Sequence, residues 1–139
     1  MRATRARRGR AACVALIVLA TTLTAGCAGP DPVPYSEFER AQDERDVLPD
    51  VGSIGEGYDP ASIRYVGSSD GLDVYLASRL DTGGRCVIVD GPQSGSGCGD
   101  ELSSGGAWTV QIHPDGAGPD DSVGLDWTPL GENVSIRRH

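Results

Sequence analysis

Ser68-Ser69-Asp70-Gly71-Leu72-Asp73-Val74-Tyr75-Leu76-Ala77 is the stretch that decides the fold. Asp70-Gly71 supplies the two residue types that tolerate the positive φ a tight hairpin turn demands. Behind it Leu72, Val74 and Leu76 alternate with Asp73, Tyr75 and Ala77, and a period of two is the mark of a strand with one buried face. A hairpin centred on Asp70-Gly71 is therefore expected, and the same grammar continues on either side.

Short apolar runs separated by glycine-rich turns place strands at 63–66, 72–80, 86–89, 108–113, 123–127 and 134–137. Asp81-Thr82-Gly83-Gly84 is a second turn signal, and Trp108, Val110 and Ile112 alternate with Thr109, Gln111 and His113. The expectation is a mainly β (α+β) fold, an antiparallel meander of five or six strands over residues 50–139. Trp108 and Trp127 both fall in phase with apolar neighbours, so both are expected in the core rather than as a platform for a glycan or peptide.

Ahead of this domain, Ser36-Glu37-Phe38-Glu39 has the spacing of a capping box, which predicts a short helix within 35–49 running to about Asp46 before Val47-Leu48-Pro49 enforces an extended exit. Its apolar face, Phe38 and Ala41, is thin, so it either docks on the β domain, the favoured reading, or stays partly disordered.

The start of the chain reads as an address. Residues 1–10 carry five arginines and no acid, and residues 11–23 carry no charge. That order is the layout of a secretory signal peptide, too short in its apolar part for a comfortable membrane span. Leu23-Thr24-Ala25-Gly26-Cys27 resembles the lipobox of bacterial lipoproteins. The small Ala25 and Gly26 suit cleavage between Gly26 and Cys27, and Cys27 supplies the thiol that accepts lipid. Ordinary cleavage and an uncleaved anchor are the alternatives, and all three export the remainder of the chain. The domains are then a signal peptide over 1–26, a lipidated, proline-rich linker over 27–34, the helix, and the β domain. The seven-residue stretch after Cys27 has three prolines and spans about 20 Å when extended. Localisation follows: cell membrane, lipid-anchored, on the extracytoplasmic face.

Removing residues 1–26 exposes the acidity of what remains. Net charge is −8 for the whole chain; from residue 27 onward, seven arginines face twenty acids, giving −13. Such a chain lacks the basic footprint that nucleic acid requires. Anionic lipid would not attract it electrostatically either. With Cys13 in the leader and Cys27 lipidated, Cys86 and Cys98 are left as a pair in an oxidising compartment. A disulfide closing that loop contributes on the order of 3 kcal/mol. It would also brace an exposed loop, and Gly91, Pro92, Gln93 and Ser94 form the candidate binding segment.

The series Phe38-x-Arg40-x-Gln42, Asp46-x-Leu48-Pro49, Ser62-x-Arg64-x-x-Gly67, Asp70-Gly71, Tyr75-x-Ala77, Cys86-Val87-Ile88-Val89 and Gly97-Cys98 resembles a group of small, uncharacterised lipidated or membrane-anchored proteins of actinobacteria. The resemblance implies an envelope location and the Cys86–Cys98 pairing, and it implies no activity.

Catalytic signals are absent from the sequence. His113 and His139 are the only histidines, and His113 at a strand end beside Pro114 is expected to be solvated. Asp115, Asp120 and Asp121 share a loop without the ligand order of a calcium site. Asn133-Val134-Ser135 matches a glycosylation sequon, a coincidence in a bacterial lipoprotein. Neither a cofactor nor a metal is expected. The reading is a non-catalytic binding or structural module whose partners are the membrane, through its anchor, and an envelope protein or glycan. A secreted protease inhibitor presenting the Cys86–Cys98 loop is the alternative, ahead of a cell-wall hydrolase.

Overall fold

The computed structural model describes residues 33–50, 52–104, 106–119 and 126–139. The signal peptide, Gly26, Cys27 and most of the linker lie outside the described residues, as do Asp120, Asp121 and most of the strand expected over 123–127. Residues from Pro32 onward form one compact unit, which includes the segment 35–49.

The β expectation holds: among the described residues eight strands form two four-stranded antiparallel sheets. The first sheet is a meander of β1 (Arg64–Ser69), β2 (Leu72–Ser78), β3 (Arg85–Asp90) and β4 (Gly95–Cys98). The second contains β5 (Glu101–Ser104), β6 (Trp108–Ile112), β7 (Thr128–Leu130) and β8 (Val134–Arg138), ordered β5-β6-β8-β7. The single meander expected from the sequence is thus corrected: the chain changes sheets after Cys98, and β8 inserts between β6 and β7. Asp70-Gly71 makes the expected hairpin, with φ of 50° and 79°, and Ser69 pairs with Leu72.

The two sheets share one core. Val66, Leu72, Val74, Leu76, Val87 and Val89 of the first sheet meet Trp108, Val110, Ile112, Leu130, Val134 and Ile136 of the second. The opposite face of the first sheet is also buried, contrary to the one-face expectation: Tyr75, Ala77, Cys86 and Ile88 pack with Tyr58 and Ile63. The covering layer is the irregular segment ahead of β1, which contributes Leu48 and Ile54. Burying both faces explains why β3 reads Cys-Val-Ile-Val with no alternation.

That covering segment is held by charge. The expected helix is a single turn, α1 (Ser36–Glu39), followed by a 3-10 turn at Glu44–Asp46. Ser36 does not cap it; its hydroxyl instead donates to Asp115, 3.1 Å away. The reciprocal box forms later, where Asp43 and Asp46 each accept the other end's backbone N–H. Phe38 docks against the inter-sheet core, as favoured. Arg40 and Asp46 then form a bidentate pair at 2.7 Å and 2.7 Å, with the Asp46 side chain 1% exposed. Asp46 also accepts the N–H groups of Asp43 and Tyr65 at 2.7 Å each. Arg40 donates to Glu37 and to the Tyr65 carbonyl. Gln42 donates to the carbonyls of Pro60 and Ile63, and Arg64 to that of Arg40.

Burial works against ionisation of Asp46, but the Arg40 guanidinium and the two backbone N–H donors outweigh it and hold the carboxyl well below the usual carboxylate range. A carboxyl depressed by folding stabilises the folded chain above the ordinary value near 4 and loses that contribution as pH falls toward its own, because the unfolded state then binds the extra proton. Asp46→Ala should cost about 3 kcal/mol in urea unfolding, since it removes the bidentate acceptor of the Arg40 terminal nitrogens and leaves the Asp43 and Tyr65 N–H groups without their carboxylate. Asp46→Asn should flatten the loss of stability below about pH 4. Wild-type acid dependence in that variant would contradict the assignment.

Candidate functional site

The expected loop between the cysteines is largely strand. Cys86 and Cys98 face each other across β3 and β4, joined by the predicted disulfide with Cα atoms 3.9 Å apart. Gly95, Ser96 and Gly97 pair with Val89, Ile88 and Val87. A Cβ at position 97 would lie 2.6 Å from Leu102 Cδ1 of β5, so a larger residue there would displace the Leu102 methyl. What remains of the candidate binding segment is a four-residue turn, with Pro92, Gln93 and Ser94 exposed and Gly91 half-buried.

The turn is seated firmly. The indole N–H of Trp108, 1% exposed, donates to the Gln93 carbonyl at 2.9 Å. Gly91 has φ of 144°, a conformation that L side chains rarely adopt, and a Cβ on it would lie 2.8 Å from the Gly71 carbonyl oxygen and 2.8 Å from Leu72 Cδ2. Trp108 is therefore a core residue, as expected, whose polar edge positions the candidate loop. Trp127 is not in the core. It is half-buried, with the Arg137 guanidinium 4.9 Å from its ring centroid.

At the other end of β6 a cleft of about 340 Å³ opens beside Tyr35, Asp100, Glu101, His113 and Pro114. Arg85 lies 4.0 Å from the Tyr35 ring centroid and 3.8 Å from the Asp100 carboxylate. Glu101 accepts from Gln111 at 2.9 Å. His113, expected in solvent, is 8% exposed. Its Nε2 shares a hydrogen bond with Ser135 Oγ at 3.0 Å, and its Nδ1 has no hydrogen-bond partner among the described residues. The correction has a physical cause: a histidine on the polar face of the second sheet is covered when its neighbours include Ser135 and Pro114.

Asp115 and Asn133 form a clamp that sequence reasoning did not find. Asp115 accepts from the Ser36 N–H at 2.9 Å and the Asn133 amide at 2.7 Å, contacts that, led by the Ser36 N–H, hold its carboxyl below the usual carboxylate range. Asn133 is fully buried, donating also to the His113 carbonyl and accepting from the Glu37 N–H. The sequon asparagine is thus an internal strut. Asp115 was legible only as an acidic loop residue, and nothing local in the sequence marked Arg40 and Asp46 as partners.

A second cleft of about 370 Å³ lies by Gln42, Val47, Leu48 and Pro60; Gln42 and Asp46 on its wall are already engaged. Among the described residues no three His, Cys, Asp or Glu side chains converge as a metal site. No helix among them is long and apolar enough to cross a membrane. Comparison with protein-family models, curated proteins and solved structures finds no match to the chain.

Gly91→Ala should lower stability by about 2 kcal/mol through backbone strain and collision with Gly71, read in urea unfolding. Trp108→Phe should lower stability by about 1 kcal/mol for the lost hydrogen bond, with a further cost for the void left between the sheets, and accelerate amide exchange in the 91–94 turn. Unchanged exchange would show that the indole does not fix it.

Proposed function

We propose that this chain is a lipid-anchored cell-envelope protein whose extracytoplasmic β domain is a non-catalytic binding or structural module. One observation carries the reading: Leu23-Thr24-Ala25-Gly26-Cys27 closes an arginine-rich and then apolar leader, an arrangement suited to export and to acylation of Cys27. The Cys86–Cys98 disulfide supports it, because such bonds persist in oxidising compartments. The acidic balance from residue 27 onward supports a tether as the means of attachment, since the domain has no electrostatic attraction to anionic head groups. Two or more acyl chains on Cys27 supply stable anchoring where one is marginal.

The binding surface favoured by the geometry is the 91–94 turn. It is uncharged, exposed at three residues and held by a buried indole, so little conformational freedom is lost when a partner engages it. The same rigidity favours the protease-inhibitor reading, although three exposed residues offer a protease a much shorter segment than the full inter-cysteine loop. Replacing Pro92, Gln93 and Ser94 together should abolish inhibition in that case with the fold intact.

Cys27→Ala should abolish incorporation of labelled palmitate and release the protein from the membrane fraction. Retained labelling would refute the anchor. Crosslinking from the anchored protein in cells should capture an envelope component through Gln93 or Ser94, and a clean absence of capture would count against the binding role.

A further inference from the structure

Each sheet ends in two edge strands, β1 and β4 in the first and β5 and β7 in the second. An edge presents outward N–H and C=O groups that invite another strand unless something blocks them. On β1 the block is the covering segment, because Asp46 accepts the Tyr65 N–H and Arg40 donates to the Tyr65 carbonyl. On β7 it is Pro129, which has no N–H to offer. β5 opens on the charged Glu101. β4, Gly95-Ser96-Gly97-Cys98, has neither proline nor charge, and among the described residues no backbone group bonds to its outer side.

The register of β4 shows which of its groups face outward. The Gly99 N–H donates to the Arg85 carbonyl at 3.1 Å, which makes 85 and 99 a hydrogen-bonded pair. Antiparallel ladders alternate, so Val87 with Gly97 and Val89 with Gly95 are bonded pairs, while Cys86 with Cys98 and Ile88 with Ser96 are not. The N–H and C=O groups of Ser96 and Cys98 therefore point away from β3. The same alternation carried across β3 and β2 turns the Tyr65 groups outward on β1, where Asp46 and Arg40 meet them. Cys98 is exposed and Ser96 half-buried. β4 is also held still: the disulfide fixes one end, Trp108 fixes the turn before the other, and Ser96 Oγ donates to the Ile54 carbonyl at 3.3 Å. Little order has to be gained on binding.

We propose that β4 is a docking edge for an extended, basic segment of a partner protein, which joins the first sheet through the N–H and C=O groups of Ser96 and Cys98 and sets its cationic side chains beside Asp100 and Glu101. The proposal rests on the reading of the domain as a binding module and is independent of the anchor. Backbone groups at strand spacing are complementary to another extended backbone, the chemistry of strand addition. Charge selects the occupant. Cys98 leads into the exposed Asp100 and Glu101. Arg85 lies 3.8 Å from Asp100 and offsets it in part, whereas Glu101 is hydrogen-bonded to the neutral Gln111 amide and keeps its charge. A second copy of the chain fits less well, since from residue 27 onward each copy has seven arginines against twenty acids. Stable dimers also bury about 1,200 Å² or more, beyond the reach of a four-residue edge.

The test follows residue-resolved amide exchange in the full chain, held in nonionic detergent, with each of three end-blocked peptides at about 5 mM. The first alternates threonine and valine between flanking lysines, the second replaces the lysines by glutamates, and the third is the lysine peptide N-methylated along its threonines and valines. The Ser96 and Cys98 amides should slow at least about fivefold with the lysine peptide, as a Kd near 1 mM requires, and less than about twofold with the others. Glu101→Gln, which keeps an acceptor for Gln111, should weaken the lysine peptide about threefold; unchanged affinity overturns the charge assignment. No slowing at Ser96 and Cys98, or equal slowing by the glutamate or methylated peptide, overturns strand addition and leaves the 91–94 turn to be judged by crosslinking through Gln93 or Ser94. Slowing that grows with protein concentration in the absence of peptide assigns the edge to a second copy and overturns the proposal as well.

Discussion

The pairing of Arg40 with Asp46 is the constraint on which the rest of the domain depends. The first sheet buries both faces, yet among the described residues the layer over its outer face is built on a few short 3-10 turns. Such a layer has too few internal hydrogen bonds to hold itself in place. Arg40 and Asp46 compensate by tying three separate stretches together: Glu37 in α1, the Asp43–Asp46 turn, and the backbone of Tyr65 on edge strand β1. An isolated surface pair would contribute little. Here the carboxylate is almost fully enclosed and every lone pair in use is met by a donor, so loss of one partner strands the others.

A second constraint works from the opposite side of the molecule. Trp108 fills the space between the sheets with its ring and reaches the 91–94 turn with its N–H. Asn133 does the same job with an amide at the far end of β6, where it joins the second sheet to the strap. Both are buried polar contacts of high sequence separation, and both link a strand to a segment that would otherwise be free. Packing supplies most of the stability, while these few directed bonds determine which irregular segments are held still.

Much of this was legible in the sequence, and the misses share a cause. The Asp70-Gly71 hairpin and the Leu72, Val74, Leu76 face announce themselves because turn chemistry and period-two burial are local. Cys86 and Cys98 could be paired by removing the other two cysteines from consideration. The strand Gly95-Ser96-Gly97 shows no apolar alternation, since Gly97 answers to Leu102 and Gly95 to Trp108, both on the other sheet. Thr128-Pro129-Leu130 is a strand only because it lies at an edge, where proline is tolerated. Ser36 resembled a cap because Glu39 follows three residues later, but a nonlocal acceptor, Asp115, claimed its hydroxyl. Trp127 was assigned by strand phase and His113 by its place at a strand end, and neither signal says what lies over the side chain. For the candidate site, the sequence located the turn and the structure limited it to three exposed residues.

The burial of Asn133 bears on how the protein can be produced. In a eukaryotic secretory pathway, oligosaccharide is transferred to Asn133-Val134-Ser135 while the chain is still unfolded, before any strut has formed. A glycan on that nitrogen cannot fit a fully buried position, and it would replace one of the two amide hydrogens that reach His113 and Asp115. Host choice is therefore part of the protein's folding chemistry: a cell that glycosylates would turn an innocuous tripeptide into a folding block, whereas a bacterial host leaves the amide free to close the domain.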